Sequence, residues 1–244
     1  MPESLATRFI RQEWEAYTAD QHSVWATLYS RRMPALRAAA SRVFLDGAEA
    51  IGLEPGSIPV LATLNRRLLP RTGWSALPVD GFIPAGEFFG CLARRMFPTT
   101  VTIRAAERLD YVPEPDIFHD VFGHVPLHAD PVFADFLQQF GAVAARAGGP
   151  EATEQLARLF WFTVEFGLVR EAGETKVYGS GLISSHADAA NALGPGCERR
   201  PFRLDDVLAQ PFRIDDLQPV LFVVEDFAQL FAAVREVEVS LSRG

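Results

Sequence analysis

The chain has 244 residues, and 31 Asp and Glu against 23 Lys and Arg give it a formal charge of −8. A chain of this length can bury roughly 70% of its unfolded surface in one domain, so a core needs no disulfides. The apolar fraction of 48% argues against disorder. The acidic balance, without any block of Lys and Arg, argues against nucleic-acid binding and favours a neutral small molecule as substrate.

The sequence predicts a reduced, cytoplasmic protein. Its two cysteines, Cys91 and Cys197, are too few for a disulfide framework, and the first lies in an apolar run typical of a buried thiol. The first residues lack the apolar core of a signal peptide, and no charge-free stretch exceeds eleven residues. We therefore expect no membrane-spanning segment.

The first third of the chain is predicted to be helical. Asp20 can cap a long amphipathic helix that stops near Gly47, and a second helix is expected over about 57–69. The segment 77–86 is rich in Pro and Gly, which favours an ordered loop. The β-branched alternation of residues 99–104 predicts a short strand.

Helices also dominate the remainder of the chain. Asp130 followed by Pro131 indicates a helix start, and Gly and Pro at 148–150 should end that helix. A further helix is expected over about 151–169, then a turn at 171–174, a strand through Val177, a strand at 221–224 and a final helix. No repeat or linker divides the chain, so we predict a single mainly α domain with minor β structure (α+β) over residues 1–244.

Three of the five histidines, His119, His124 and His128, lie within ten positions. Neutral imidazole is a common metal ligand, so this density suggests a metal site. Five residues advance about 500° along an α-helix, so the first two imidazoles would point roughly 140° apart on a continuous helix. We therefore expect the helix to end at Gly123 in a left-handed conformation, with Pro126 preventing its resumption. Alternatively, these are ordinary histidines near a helix end.

A buried carboxylate could complete such a site. Glu165 is the only charged residue of the segment 159–169, which is predicted to form a helix that is apolar all round. An ionised carboxylate there is costly unless it meets a cation or takes up a proton. Glu165 could pair with Arg94 or Arg95, or its carboxyl could be protonated. Alternatively, two histidines and one carboxylate would form the facial triad of non-haem Fe(II) oxygenases.

Three sequence blocks resemble the pterin-dependent aromatic amino acid hydroxylases. They are Pro113 to Pro126, Trp161 to Leu168 and Lys176 to Ser185, and the resemblance extends over about 19–235. It is strongest to the bacterial, phenylalanine-specific members of the family. It implies the fold of the family's catalytic domain and hydroxylation of the phenylalanine ring to give tyrosine, with Fe(II), a tetrahydropterin and O₂. We expect neither a regulatory nor a tetramerisation domain, and hence a monomer.

The resemblance assigns roles to individual residues. It implies that Fe(II) is bound by His119, His124 and Glu165, and that Ser184 hydrogen-bonds the first of these histidines. The substrate carboxylate would meet Arg104, whose guanidinium offers a bidentate fork and is held by a neighbouring acid. The full set of residues matched to the amino acid substrate is Arg104, Asp116, Pro115, Phe97, Trp161 and Phe166.

A tetrahydropterin site is implied along the loop from Gly81 to Phe88. Phe88 would stack on the pterin, and the backbone of Ile83 and Ala85 would hydrogen-bond it. Further positions matched to the cofactor are Gly81, Asp120, Ala157 and Phe160. Asp120 stands where the animal enzymes have Glu, and Phe160 stands where they have Tyr. These differences shorten one carboxylate side chain and remove one hydroxyl beside the cofactor.

Other functions stay open at this point. Within the same family, the chain could hydroxylate tryptophan or tyrosine, or phenylalanine at the meta position, because these blocks resolve pocket shape poorly. A structural zinc site in a non-catalytic module would account for the histidines but not for Glu165. His128 and His186 match no ligand position and are interpreted as loop residues. We do not expect 179–181 to be a phosphate loop, because it follows a strand without opening a helix.

Overall fold

The computed structural model describes residues 8–81, 83–110 and 114–241. Phe82 of the predicted loop and Pro113 of the first sequence block lie outside the described residues, as do both ends of the chain. The α-helices span Ala19–Ala39 (α1), Arg42–Ile51 (α2), Leu61–Thr72 (α3), Ala85–Leu92 (α4), Pro131–Ala144 (α5), Pro150–Phe160 (α6), Ser180–Ser184 (α7), His186–Leu193 (α8), Leu204–Ala209 (α9) and Phe227–Leu241 (α10).

Short strands and irregular helical turns complete the architecture. The strands are Ser75–Val79 (β1), Met96–Thr100 (β2), Leu168–Glu171 (β3), Glu174–Val177 (β4), Glu198–Pro201 (β5) and Val220–Val224 (β6). Turns of 3₁₀-helix occur at Trp14–Ala16, Ala106–Arg108 and Val125–Ala129, and π-helical segments at Phe118–His124 and Trp161–Glu165. A mainly helical protein with minor β structure was predicted, and the structure confirms this fold class.

The strands form two small sheets. β1 and β2 pair in parallel, whereas the larger sheet has the order β4-β3-β6-β5. Within it β3 and β4 form an antiparallel hairpin, and β6 runs parallel to both of its neighbours. The predicted turn between β3 and β4 is confirmed: Ala172 and Gly173 take positive φ angles of 50° and 82°. This hairpin carries the chain from the second π-helical segment to α7.

Buried aromatic rings form much of the core. Phe118 and Phe122 stack on each other with centroids 4.6 Å apart, and α5 contributes Phe133, Phe136 and Phe140. These five rings are fully buried. The phenylalanine-rich core therefore lies directly beneath the first π-helical segment and fixes its position.

The predicted first helix is in fact two helices. Thr18, rather than Asp20, caps α1, forming a capping box with Gln21. The chain then breaks at 40–41, where Ser41 donates its backbone N–H to the carbonyl of Val177 and its side chain caps α2. A hydrogen bond to a distant strand, which has no signature in the local sequence, thus interrupts the helical pattern.

Three further predicted boundaries were wrong. The helix expected at 57–69 begins only at Leu61. The predicted loop 77–86 is shorter, because residues 77–79 belong to β1 and Ala85 already starts α4. The strand expected at 99–104 lies earlier, at Met96–Thr100, where parallel pairing with β1 supplies the hydrogen bonds.

The segment around Glu165 also differs from the prediction. In place of one helix over 151–169, α6 ends at Phe160 and a π-helical segment continues to Glu165, after which the chain enters β3 at Leu168. By contrast, α5 begins as predicted: Asp130 accepts a hydrogen bond from the backbone N–H of Phe133, and Pro131 is the first helical residue.

Candidate active site

A π-helical segment brings His119 and His124 together. The helix does not end between them, and Gly123 is not in the left-handed conformation, so that prediction was wrong. A π-helix closes its hydrogen bonds between residues five apart, so the two histidines stand nearly one turn from each other. On an α-helix the two imidazoles would point roughly 140° apart, whereas the wider π-helical turn places them on the same side. Their Nε2 atoms lie 3.2 Å apart.

Gly123 has a packing role instead. A Cβ atom there would lie 2.9 Å from the carbonyl oxygen of Ser180 and 3.1 Å from its Cβ. The absence of a side chain therefore lets the first π-helical segment approach α7. Residues of α7 in turn contact His119 and Glu165.

The second π-helical segment delivers the carboxylate of Glu165 to the histidines. Its Oε1 lies 3.1 Å from His124 Nε2, and its Oε2 lies 3.6 Å from His119 Nε2. The three side chains are the one group of His, Cys, Asp and Glu within the described residues whose ligand atoms could hold a metal ion. Neither Arg94 nor Arg95 contacts the carboxylate; Arg95 pairs with Asp135. Binding of a metal ion by these three side chains remains a prediction.

Two serines of α7 hold these side chains in place. The Ser184 hydroxyl donates to the carbonyl of Ser180 at 2.8 Å, so it can accept a hydrogen bond from His119 Nδ1 at 3.0 Å. Protonation of Nδ1 leaves the Nε2 lone pair facing the other two side chains. Ser180 donates to Glu165 Oε2 at 2.7 Å. Ser180 has no signature in the local sequence, because its partner lies across the β3–β4 hairpin.

The neighbours of Glu165 keep it ionised. Burial alone would raise the pKa of its carboxyl, but the His124 and His119 imidazoles and the Ser180 hydroxyl outweigh burial and lower that pKa to about 2. An anionic carboxylate facing two imidazole nitrogens is a donor set suited to a divalent cation.

A buried ion pair lies next to the histidines. Arg104 Nε and Nη2 donate to the two carboxylate oxygens of Asp116 at 2.7 and 2.9 Å, and Nη1 donates to the carbonyl of Leu109 at 3.1 Å. Asp116 Oδ1 also accepts the backbone N–H of His119 at 3.0 Å. Burial opposes ionisation of Asp116, but the Arg104 guanidinium and these N–H groups lower the pKa of its carboxyl. Of the five guanidinium N–H donors, the described contacts use three.

Aromatic rings form a wall beside the carboxylate. Trp161 stacks on Phe166, with centroids 4.6 Å apart, and its indole Nε1 is buried without a hydrogen-bond partner among the described residues. Trp161 also stacks on Phe212, with centroids 4.5 Å apart. Phe212 lies in the segment between α9 and β6 and was missed by the sequence analysis, because a lone aromatic in a polar loop carries no local signal.

Phe97 and Phe88 connect the histidines to the region matched to the cofactor. Phe97, on β2, lies 4.6 Å from the His124 ring, and Phe88, on α4, lies 5.9 Å from Phe97. Phe88 also contacts Phe160 at the end of α6, with centroids 5.8 Å apart. The remaining residue matched to the substrate ring is Pro115, whose carbonyl accepts a hydrogen bond from Thr100 Oγ1 at 3.4 Å.

The other residues matched to the cofactor flank this row of rings. Gly81 has a positive φ of 76°, Ile83 is buried and Ala85 is the first residue of α4. Ala157 lies one turn before Phe160 on α6. Whether these groups contact a cofactor stays a prediction.

The carboxylate of Asp120 hydrogen-bonds to Thr100 within the protein. One carboxylate oxygen accepts the backbone N–H of Thr100 at 2.7 Å and also its hydroxyl. Burial raises the pKa of this carboxyl above its ordinary value. The carboxylate therefore ties β2 to the first π-helical segment, between the two histidines.

The 179–181 segment and His128 also differ from expectation. Gly179 is the N-cap of the short helix α7, so the segment does open a helix. Its backbone packs closely against the backbone of Glu165, which leaves no open loop of the kind that binds phosphate. His128 is not a loop residue on the surface: it lies in a 3₁₀ turn, is fully buried and stacks on Trp74 at 4.6 Å. His186 begins α8.

Comparison with known proteins identifies the family. The sequence profile of the biopterin-dependent aromatic amino acid hydroxylases matches residues 13–244. Phenylalanine-4-hydroxylase of Caulobacter vibrioides is 44% identical over 200 residues, which cover 82% of this chain and 68% of that protein. The chain therefore belongs to the biopterin-dependent aromatic amino acid hydroxylase family.

Solved structures agree with this assignment. The structure resembles Chromobacterium violaceum phenylalanine hydroxylase with bound iron(III) and oxidised 7,8-dihydrobiopterin, with a TM-score of 0.90 and 39% identity, covering 97% of this chain and 87% of that one. It also resembles the iron- and phenylalanine-bound form of that protein, with a TM-score of 0.88, 37% identity and coverage of 96% and 87%.

One relative carries a different activity. Rat tyrosine 3-monooxygenase is 39% identical over 198 residues, which cover 80% of this chain and 40% of that protein. Membership of the family therefore leaves the choice of aromatic ring to the pocket.

Proposed function

We propose that the chain is a monooxygenase that hydroxylates the ring of L-phenylalanine to give L-tyrosine, using Fe(II), a tetrahydropterin and O₂. The observation that carries this proposal is the convergence of His119, His124 and Glu165 in a member of a biopterin-dependent hydroxylase family. The relatives named phenylalanine-4-hydroxylase, and the neighbouring structures that hold iron, dihydrobiopterin or phenylalanine, support the same substrate and cofactors.

The donor set fits an octahedral iron. Three adjacent ligands about 2.1 Å from one metal ion would lie roughly 3 Å from one another. One ligand atom from each residue lies within 4.8 Å of the others. The closest approaches are 3.1 Å from Glu165 Oε1 to His124, 3.2 Å between the two histidines and 3.6 Å from Glu165 Oε2 to His119. Ser184 fixes the tautomer of His119 that exposes the Nε2 lone pair. Three protein ligands leave the other positions of an octahedron open.

Bound Fe(II) and tetrahydropterin supply the electrons that activate O₂. The protein holds the substrate: the free donors of Arg104 bind its carboxylate, while Asp116 fixes the plane of the guanidinium. The stacked rings of Trp161 and Phe166 orient the aromatic ring and exclude water from it. Phe88 offers a face on which the pterin stacks.

Selectivity within the family rests on this aromatic wall. Tyrosine carries a hydroxyl that needs a polar partner once it is buried, and the residues matched to the ring pocket are Phe97, Pro115, Trp161 and Phe166. Among their side chains the indole N–H of Trp161 is the one strong hydrogen-bond donor. An apolar wall of this kind favours phenylalanine over tyrosine. The larger ring of tryptophan and hydroxylation at the meta position are separate outcomes of the test below.

The remaining properties belong to the same proposal. Residues 1–244 act as one catalytic domain, the protein is a cytoplasmic monomer, and its partner is a free amino acid rather than a nucleic acid. Among the described helices, none has the length and apolarity needed to cross a bilayer. Sedimentation of the purified protein should give a mass close to 26.9 kDa, and a tetramer would contradict the monomer.

Product analysis tests the reaction. Iron-loaded protein is incubated with a tetrahydropterin, O₂ and either phenylalanine, tyrosine or tryptophan, and the products are separated by chromatography. We expect para-tyrosine from phenylalanine and little product from the other two amino acids. Predominant meta-tyrosine, dihydroxyphenylalanine or hydroxytryptophan would reassign the substrate. Tightly bound zinc with no pterin oxidation would favour the non-catalytic module.

A further inference from the structure

The short helix α7 contacts two of the three residues assigned to the metal. Ser184 hydrogen-bonds His119 Nδ1 at 3.0 Å, an interaction that the family resemblance implies. Ser180, one turn earlier, lies 2.7 Å from Glu165 Oε2 and is fully buried. Nothing in the sequence blocks assigns this second serine a role. Its position gives the carboxylate a dedicated hydrogen-bond donor.

The hydrogen bond of Ser180 distinguishes the two oxygens of Glu165. A hydroxyl has one hydrogen to donate, and the other acceptor in reach, the carbonyl of Val164, is farther away at 3.4 Å. The bond therefore goes to Oε2, which lies 3.6 Å from His119 Nε2. Oε1 carries no such bond from the serine and lies 3.1 Å from His124 Nε2. Each carboxylate oxygen therefore faces one imidazole, but only Oε2 also accepts a hydrogen bond from the serine.

Close backbone packing leaves Ser180 little freedom. A Cβ at Gly179 would lie 2.4 Å from the carbonyl oxygen of Glu165, and one at Gly181 would lie 3.1 Å from the same atom. From the other side, the backbone at Gly123 approaches Ser180 closely enough that a Cβ would meet its carbonyl oxygen at 2.9 Å. The absence of side chains at these three glycines thus lets the backbone pack closely enough for the Ser180 hydroxyl to reach the Glu165 carboxylate.

Arg32 anchors the far end of α7. Arg32 is 4% exposed, and its guanidinium donates to the carbonyls of Leu182 and Ile183 at 2.9 Å each. These carbonyls lie in the last turn of the helix, where helical partners are lacking and cations are favoured. A short helix that α1 secures in this way is a rigid support for the hydroxyls it carries.

We propose that Ser180 is a positioning residue for Glu165: its hydrogen bond engages Oε2 and leaves Oε1 as the oxygen free to bind the metal. This inference rests on the metal triad of the proposed function. Groups that orient a metal ligand contribute substantially to metal affinity: their mutation typically costs about 10- to 100-fold in affinity or activity.

The test uses Co(II) as a spectroscopic probe in the full chain. We expect Ser180→Ala to raise the Co(II) dissociation constant about tenfold or more. The visible Co(II) bands should also change in intensity, because the released Oε2 can become a second ligand oxygen and coordination geometry sets those bands. Alanine is smaller than serine and a better helix former, so we expect α7 to remain folded, which circular dichroism of the metal-free protein checks.

Ser185→Ala is the matched control. The Ser185 hydroxyl caps α8 by accepting the backbone N–H of Asp188 at 3.3 Å, and it is the neighbour of Ser184 in the chain. This variant loses the same atom from the same stretch but should bind Co(II) with the wild-type affinity and spectrum. His119→Ala, which removes a triad side chain, should bind Co(II) far more weakly than either serine variant.

The outcomes separate this inference from the proposed function. If Ser180→Ala keeps the wild-type Co(II) affinity and spectrum, the positioning role is refuted while the metal site stands. A lower melting temperature of the metal-free variant with an unchanged Co(II) spectrum identifies a purely structural serine and also refutes it. If the wild-type protein fails to bind Co(II), or His119→Ala binds it equally well, both the metal triad and the positioning role are wrong.

Discussion

At the scale of single residues, the geometry of Arg104 would let one guanidinium bind both Asp116 and a substrate carboxylate. One edge of the guanidinium is occupied by Asp116 in a bidentate pair whose side chains are 7% and 4% exposed. The donors not used by Asp116 or Leu109 are available to a substrate carboxylate. A lysine would keep the positive charge but lose the planar fork that serves both partners.

We therefore expect Arg104→Lys to raise the KM for phenylalanine about 10- to 100-fold, with a smaller change in kcat, because hydrogen bonds between charged groups contribute about 1.5–3 kcal/mol. Steady-state kinetics with phenylalanine varied at a fixed pterin concentration measures this change. Arg71→Lys, an identical exchange at an exposed position on α3, is the control and should leave KM unchanged. An unaltered KM in Arg104→Lys would remove this residue from the substrate site.

His128 is a titratable residue with a fully buried imidazole ring. Neither of its ring nitrogens has a hydrogen-bond partner among the described residues, and the ring contacts those of Trp74 and Phe97. Burial lowers the pKa of this imidazole well below its ordinary value. The folded protein therefore holds a neutral imidazole under conditions in which the unfolded chain takes up a proton.

The sign of the pH effect follows from proton uptake by the unfolded state. Above the ordinary pKa of about 6.5 neither state is protonated, and below it the folded state loses up to about 1.4 kcal/mol of stability per pH unit. We expect His128→Phe to flatten the fall in stability between about pH 6.5 and pH 5. Urea unfolding of both proteins across this range measures the difference, and parallel curves would contradict the buried neutral histidine.

At the scale of elements, two π-helical segments determine the site. The sequence predicted a helix that ends at Gly123 and another over about 151–169, but it gave no sign of the wider π-helical turns that the structure shows at both places. The Phe, Trp and Val residues of these segments fit an α-helical pattern as well as a π-helical one. Only packing against α7, and the meeting of His119, His124 and Glu165, distinguishes the two geometries.

Substitution of Gly179 tests the importance of close packing between these elements. A Cβ atom there would lie 2.3 Å from the backbone nitrogen of Gly167 and 2.4 Å from the carbonyl oxygen of Glu165, and neither backbone atom can move freely. We expect Gly179→Ala to lower the free energy of unfolding by about 1–3 kcal/mol and to weaken Co(II) binding. Chemical denaturation and metal titration measure the two effects.

Gly56→Ala serves as the control for this substitution. No atom lies within 4 Å of the Cβ position at Gly56, in the turn before α3. This variant should keep both the stability and the metal affinity of the wild type. Equal behaviour of the two alanine variants would show that the approach of α7 to Glu165 does not matter.

At the scale of the whole molecule, long-range contacts explain what the sequence could not predict. The helical caps at Asp130 and the β3–β4 turn have local signatures, and both are present in the structure. The break after α1 depends on a hydrogen bond between Ser41 and Val177, which are distant in sequence. Phe212 likewise reaches Trp161 from a loop some fifty residues later. Local patterns thus identified the chemical groups, whereas the tertiary fold set their geometry.

Metal binding should stabilise the entire fold, because the triad joins two separate segments of the chain. A ligand that binds only the folded state at about 100 times its dissociation constant adds about 2.7 kcal/mol, which corresponds to roughly 5–10 °C in melting temperature for a protein of this size. We expect Co(II) to raise the melting temperature of the wild type and a chelator to reverse the shift. His119→Ala should show no shift, and an equal shift in that variant would place the metal elsewhere.

The central claim is that iron held by His119, His124 and Glu165 supports pterin-dependent hydroxylation of phenylalanine. The most direct measurement loads wild-type protein and Glu165→Ala anaerobically with Fe(II), adds a tetrahydropterin and phenylalanine, admits O₂ and quantifies tyrosine and hydroxypterin. The account predicts both products from the wild type and no tyrosine from the folded variant. Absence of both products from folded, iron-loaded wild type, or equal tyrosine formation by Glu165→Ala, would contradict it.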